Sequence, residues 1–502
     1  MSAATITGPT SATEHDRRWL VLAVLSIAQL MVVLDATVVN IALPSAQADL
    51  GFSDSSRQWV VTAYTIGFGS VLLLGGRLSD LFGRRPTMIT GLIGFAVASA
   101  VAGSAQSFPI LIGARAIQGI FGAILAPAAL SLLTTTFTDP KERNTAFGIF
   151  GAIAGSGAGI GLLVGGFLTE YLSWRWSLYV NLVFAAVAVV GVVALIAHHP
   201  RSRPRLDILG TVTGSAGIFA LVYGFSEADR TSWGASITIG FLAAGVALLI
   251  AFVAVERRSK APLLPLWIVA DRNRGGSLLA MLLTSIGVFG VFLFVTFYLQ
   301  QTLGYSPVKS GLAFLPMVGA IILSSTMSST LLLARFGGRL LIPTGMALAA
   351  IGMALLTGLD TNSTYAAHLL PGLLVLGVGL GLVFAPAFNI ATQGVDRDDS
   401  GVGSAAVNTA QQVGGSLGTA LLNTVATTAT ANFLVGKTAS AGVVSEAAVH
   451  GYITGFWWAA AIFAAGAVVT ALILRSGKQA LEPAGPPAEE PRPAVSVPST
   501  TG

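Results

Sequence analysis

The sequence contains no cysteine, which excludes disulfides, iron–sulfur clusters and thiolate metal sites. Histidine is scarce as well. Of the five present, only His198 and His199 lie close together, beside a basic stretch and with no third ligand type nearby, so no metal site is expected. Charge is the third shortage: 10% of the 502 residues are Asp, Glu, Lys or Arg, against 54% hydrophobic, and the mean hydropathy is +0.78. So few charges cannot cover the surface of a water-soluble chain of this size. No Walker A sequence occurs, which argues against ATP as an energy source. The string GGSLG (414–418) fits G-x-S-x-G but lies inside an apolar run with no His or Asp near it in sequence, so it does not read as a nucleophile elbow. No enzyme constellation is found, and no cofactor is implied.

What the chain has in abundance is long apolar runs. They recur near 19–43, 58–75, 87–104, 109–136, 144–168 and 176–197, then near 207–226 and 235–255, then near 275–302, 309–333, 339–358, 366–392, 402–430 and 451–474. The reading is an all-α membrane protein with fourteen transmembrane helices. The polar start, 1–18, lacks a cleavable-signal pattern and reads as a cytoplasmic tail. The Pro-, Ala- and Glu-rich stretch 477–502 reads as a disordered cytoplasmic tail. With both termini cytoplasmic, 21 of the 27 Lys and Arg residues fall on the cytoplasmic side, five on the outer side, and Arg115 alone inside a span. That bias fixes the orientation and accounts for the net charge of +5 without nucleic-acid binding.

The chain also repeats itself. LGFS (50–53) returns as LGYS (303–306) and FGRR (82–85) as FGGR (336–339), at offsets of 253 and 254 residues. Residues 19–200 and 261–476 are therefore expected to form two pseudo-symmetric six-helix bundles, with two inserted helices in 201–260. Two related helical halves around a midplane site is the architecture of a secondary transporter.

Three stretches carry chemistry. GRLSDLFGRRP (76–86) joins the second and third spans, and its glycine spacing exceeds what a merely basic loop needs. Gly76, Arg77, Asp80, Gly83, Arg84 and Arg85 are read as a cytoplasmic gating loop that latches the halves. LDATVVNIALP (34–44) puts a carboxylate, Asp35, in the first span, where insertion costs roughly 2.5–3.5 kcal/mol. RAIQG (115–119) puts Arg115 in the fourth span. At 1.5 Å per residue the two lie roughly 12 Å and 9 Å below the outer ends of their spans, so they can be partners, directly or through water. One alternative is a static buried ion pair. The other is a carboxylate that exchanges protons during a transport cycle, since ionisable groups inside membranes usually mark ion pathways.

The loop at 76–86 is similar to the signature loop of the major facilitator superfamily. The stretch 34–44 resembles the first-helix motif of its fourteen-helix drug:proton antiporter branch, and 115–119 its fourth-helix motif. The resemblance spans about residues 15–475 and implies the major facilitator fold, a part for Arg115 in proton coupling and antibiotic or multidrug efflux, and it permits Asp35 to meet a cationic substrate; the proton role of Asp35 itself is read from its place inside the membrane. It departs at GLLVGG (161–166), where Leu162 replaces the proline of the family's fifth-helix antiporter motif. Gly157, Gly161, Gly165 and Gly166 still give that helix a thin face for packing.

The last six spans carry no Asp, Glu, Lys or Arg in their interiors. A substrate cavity of aromatics and amides is expected from Asn40, Gln118, Tyr298, Gln301, Phe388, Asn389, Asn408, Gln411 and Gln412, suited to lipophilic neutral or monocationic molecules. The resulting expectation is a monomeric, proton-driven exporter of antibiotics or toxic compounds in the cell membrane, with protons, a lipophilic small molecule and membrane lipid as its partners. A dedicated exporter of one metabolite, a proton-coupled importer of a small solute and a non-transporting membrane sensor remain alternatives.

Overall fold

The computed structural model describes residues 10–53, 56–137, 139–196, 207–259, 262, 266–392, 400–438 and 440–475. The expected C-terminal tail and the basic stretch 201–206 lie outside these residues. Without water, a lipid-embedded backbone must satisfy its own hydrogen bonds, and the apolar runs do so as helices. No strand occurs among the described residues.

The first group of helices is α1 (Thr10–Leu50), α2 (Trp59–Phe82), α3 (Arg84–Gly103), α4 (Phe108–Thr136), α5 (Pro140–Tyr171) and α6 (Trp176–Leu195). A hairpin follows, α7 (Ile208–Arg230) and α8 (Ser236–Glu256), and then a single turn, α9 (Leu266–Ala270). The last group is α10 (Arg272–Phe297), α11 (Pro307–Met327) with its short extension α12 (Leu333–Phe336), α13 (Gly338–Leu356), α14 (Leu370–Thr392), α15 (Ser400–Leu434) and α16 (Ala441–Ile473). Fourteen of these helices are long, one for each expected apolar run. Among the described residues eleven are long and apolar enough to cross a membrane by length and composition. The other three are α2, α5 and α15; α2 and α5 contain the shorter apolar stretches Trp59–Leu72 and Gly159–Tyr171.

The two six-helix groups share one packing plan. In the first, α1 packs on α5 and α6, α4 on α2 and α3, and α3 on α6; in the last, α10 packs on α15 and α16, α14 on α11 and α13, and α13 on α16. The repeated motifs agree at the level of single residues. Gly51 and Gly304 both adopt positive φ, at 69° and 65°, and so do Gly83 and Gly337, at 92° and 72°. Only glycine adopts that backbone without strain, which explains why the repeat keeps glycine there.

Gly83 also changes the reading of the 76–86 stretch. Residues 76–82 are the final turns of α2 rather than a loop, and Gly83 alone makes the corner into α3. One residue suffices because its φ of 92° and ψ of 144° reverse the chain direction in a single step.

The groups meet along α5–α11 and α2–α15, which the internal repeat relates to each other, and the α7–α8 hairpin leans on α2 and α15. Glycines thin these seams. A Cβ at Gly166 would come within 2.7 Å of the Pro307 carbonyl oxygen, and one at Gly311 within 2.6 Å of that of Leu162. Inside the first group, Gly67 and Gly75 of α2 face backbone of α4, and Gly119 of α4 faces the Tyr64 carbonyl of α2, too close for any side chain. Gly119→Ala should therefore lower stability by about 1–3 kcal/mol, the range for overpacking. Thermal unfolding in detergent checks this, with Gly113→Ala, where nothing lies within 4 Å of the new methyl, expected to match the wild type.

Candidate functional site

The cluster around Asp35 draws on five helices. Its carboxylate is fully buried, and each oxygen has partners. Oδ2 accepts from Arg115 Nη1 of α4 at 2.6 Å. Oδ1 accepts from Gln118 Nε2 of α4 at 2.7 Å and from Asn181 Nδ2 of α6 at 2.7 Å. Arg115 and Gln118 stand three residues apart and so share one helix face. Arg115 Nη1 also donates to Gln118 Oε1 at 2.7 Å, which locks that amide, while Gln118 Nε2 reaches Ser99 Oγ of α3 at 2.7 Å.

Arg115 is held by neutral groups of α2 as well. Its Nε donates to the Val60 carbonyl at 3.2 Å, and its guanidinium carbon lies 4.4 Å from the centroid of the Tyr64 ring. The guanidinium therefore gains cation–π attraction in a dry setting, where that attraction is strongest. A cavity of about 10 Å³, the size of one water, borders Arg115 between α1, α2, α4 and α6. No described group of acidic, histidine or cysteine residues is arranged to hold a metal.

The sequence brings Asp35 and Arg115 to similar depth, and the structure joins them directly. Gln118 sits in the same network, with both ends of its amide bonded. Asn181, Ser99 and Tyr64 were not anticipated. Asn181 could have been noticed, as the one amide in the otherwise apolar run of α6. Ser99 and Tyr64 offered no such signal, because hydroxyls and aromatics are common in membrane helices.

Asn40 Nδ2 bonds its own helix at the Ala36 carbonyl, and Tyr298 is buried with its hydroxyl donating to the Asp360 carbonyl at 2.7 Å. Gln301, Phe388 and Asn389 are exposed and Asn408 and Gln411 half-buried, while the side chain of Gln412 lies outside the described residues. In the stretch 76–86, Arg85 Nη2 donates to the Val193 carbonyl at the end of α6 at 2.9 Å, whereas the side chains of Arg77 and Asp80 and the surroundings of Gly76 are outside the described residues. Arg84 is half-buried at the start of α3. Gly157, Gly161 and Gly165 face Val33, Leu34, Thr37 and Val38 of α1, and Gly166 faces the start of α11. Leu162 is fully buried, with its carbonyl against Gly311.

Polar contacts also tie the two groups together at the arginine-poor end of the bundle. Asn423 Nδ2 of α15 donates to Gln58 Oε1 at 3.1 Å, both residues being fully buried. Gln300 Nε2 reaches the Ile41 carbonyl of α1 at 3.2 Å, and the Val308 amide reaches Glu170 at 2.9 Å. The Arg57 guanidinium stands 4.0 Å from the centroid of the Phe297 ring.

The family model of the major facilitator superfamily matches residues 25–419. The chain belongs to the major facilitator superfamily. It is a multi-pass membrane transporter and not an enzyme. The chain is 49% identical over 476 residues to the puromycin resistance protein of Streptomyces alboniger, covering 93% of this chain and 94% of that one. It is 39% identical to the cephamycin export protein of Amycolatopsis lactamdurans, covering 84% and 87%. Among solved structures, a bacterial homologue of the human lysosomal transporter Spinster, in an inward-facing and unoccupied conformation, superposes with a TM-score of 0.63 at 15% identity, covering 93% of this chain and all of that one. That likeness concerns the fold.

The network sets a stability test. Removing one partner of a buried pair leaves the other charge uncompensated, typically a loss of 3–5 kcal/mol. Arg115→Leu alone should destabilise by about that amount, and adding Asp35→Asn should recover most of it. The double-mutant cycle is measured by thermal unfolding in detergent.

Proposed function

We propose that this transporter is a proton-coupled exporter of lipophilic neutral or monocationic antibiotics, working by alternating access. The observation that carries the reading is the Asp35 carboxylate, fully buried within the first helix group and partnered by Arg115 and two uncharged amides, Gln118 and Asn181. A charge in that position is costly, and transporters place such groups on proton routes. Arg115 keeps neutral acceptors in Gln118 Oε1 and the Val60 carbonyl, so neutralising Asp35 leaves the guanidinium hydrogen-bonded although without its counter-charge. Inward proton flow through Asp35 then drives outward substrate flow.

The related antibiotic resistance and export proteins support the direction of transport. Several bear the name of a single compound, as in the tetracenomycin C resistance and export protein of Streptomyces glaucescens, 35% identical over 410 residues and covering 81% of this chain and 76% of that one. That favours, as a second reading, a dedicated exporter of one antibiotic. The architecture that goes with the proposal has fourteen spans, both termini cytoplasmic, six-helix bundles at 19–200 and 261–476, and two inserted helices between. The protein acts as a monomer in the plasma membrane, and the glycine-bearing stretch 76–86 gates the cytoplasmic side. The arginine-poor end, where Gln58 meets Asn423, is then the outer side, closed in this state.

Transport in everted membrane vesicles tests the proposal, with puromycin, tetracenomycin C and a lipophilic cationic dye as substrates. Uptake should require a proton gradient, collapse with a protonophore and fall to background in Asp35→Asn, with that variant shown to be folded. Gradient-driven uptake that survives in Asp35→Asn would remove Asp35 from the coupling. Uptake of one substrate alone selects the dedicated exporter.

A further inference from the structure

The partners of Asp35 are not equivalent. Oδ2 faces Arg115, a permanent donor, so an incoming proton must settle on Oδ1. There it would confront two amide nitrogens, Gln118 Nε2 and Asn181 Nδ2, both of which donate to the ionised carboxylate and cannot accept. One of the two must turn. Gln118 is held at its other end, because its Oε1 accepts from Arg115 Nη1. Asn181 is not: its Oδ1 is buried and has no hydrogen-bond partner, in a residue that is fully buried.

We infer that Asn181 is a positioning residue for the proton step, turning its amide to follow the protonation state of Asp35. With Asp35 ionised, Nδ2 faces Oδ1 and the amide carbonyl is the unsatisfied edge. When a proton binds Oδ1, the Nδ2···Oδ1 bond breaks, the amide rotates about its terminal torsion, and the new Asp35 O–H donates to Asn181 Oδ1. Ser99 Oγ, now 3.4 Å from Asn181 Nδ2, can donate to the turned carbonyl, because a hydroxyl serves either role. One amide edge is unpaired in both states, so the turn itself costs little. The ionisable groups facing Asp35 are Arg115 from α4 and Tyr64 from α2, the latter beneath the guanidinium. From α6 it is faced by Asn181, which Ser99 of α3 backs, while the α5 glycines Gly157, Gly161 and Gly165 lie against Val33, Leu34, Thr37 and Val38 of the first helix.

The inference rests on the proton-coupling reading, and the experiment separates the two. Difference infrared spectra of the full-length protein in lipid are recorded across a pH titration, for the wild type, Asp35→Asn and Asn181→Leu. The wild type should show a carboxylic acid band that titrates and is lost in Asp35→Asn, together with an amide band change that is lost in Asn181→Leu. In Asn181→Leu the ionised form loses a charge-assisted donor while the protonated form loses only a neutral acceptor. The midpoint should therefore move to higher pH by about one unit, a tenfold change in proton concentration. If Asn181→Leu does not fold, Asn181→Ala removes the same atoms with less bulk, and the same shift is expected. A titrating acid band whose midpoint is unmoved in the variant, with no amide change, overturns the role of Asn181 and leaves proton coupling standing. Absence of any Asp35-dependent acid band overturns both.

Discussion

A single carboxylate in a dry, helical interior constrains most of what surrounds it. An ionised Asp35 needs donors at both oxygens, since each unmet hydrogen bond to a buried charge costs more than the bond itself contributes. The chain meets the need by converging α1, α3, α4 and α6 on one point and bracing the guanidinium from α2. That convergence explains the tight α2–α4 seam. Arg115 can reach the Val60 carbonyl and the Tyr64 face only if the helices approach closely, and Gly67 and Gly119 permit it. Such a cluster is a poor way to gain stability, because apolar residues of similar volume usually serve as well or better. Its presence is better explained by chemistry than by folding.

The same logic separates the two halves of the molecule. Their helices pack by one plan and turn at matching glycines, so the scaffold is duplicated. The chemistry is not. At the 253-residue offset the counterpart of Asp35 is Val288, which is buried among the apolar side chains of the last group. In the last group Tyr298 anchors the 357–364 connection through the Asp360 carbonyl, and Ser324 bonds carbonyls of its own helix. Symmetry supplies two similarly packed bodies, and of the two related positions, 35 and 288, only Asp35 carries a charge.

How much of this was legible beforehand follows from what each signal measures. Hydropathy reports where a helix is long and apolar, and all fourteen runs became long helices because length and apolarity decide that outcome. A lone charge in such a run is conspicuous at any rotation of the helix, so Asp35 and Arg115 stood out. Amides and hydroxyls are different. Asn181 holds the site and Asn423 the seam, yet in the sequence they look like any other amide in an apolar helix. Which one meets a partner depends on helix rotation, and small errors in that angle turn a residue from the interior to lipid. The π-turns at Tyr298–Thr302, Ser328–Leu332 and Tyr365–Leu369 shift rotation further and leave no mark that periodicity detects. The helical character of 76–82 was hidden for a related reason: its charges looked like a loop, although helix ends in a membrane protein are where charges belong.

The start of α2 is where these strands of argument meet. Its first turn is gripped from both sides: Arg115 Nε holds the Val60 carbonyl from within the first group, and Asn423 holds Gln58, two residues earlier, from the other group. The backbone carries one grip to the other without slack, because the amides of Val60 and Val61 bond the carbonyls of Arg57 and Gln58. On the proposed proton coupling, a guanidinium that shifts when its carboxylate changes charge must either release Val60 or drag this turn with it. In the first case the seam between the groups loses its inner brace; in the second Gln58 moves relative to Asn423. Packed interfaces of this kind respond by switching between arrangements rather than by bending gradually. The Asp35–Arg115 pair and the Gln58–Asn423 contact are thus neighbours, separated by one arginine and one helical turn.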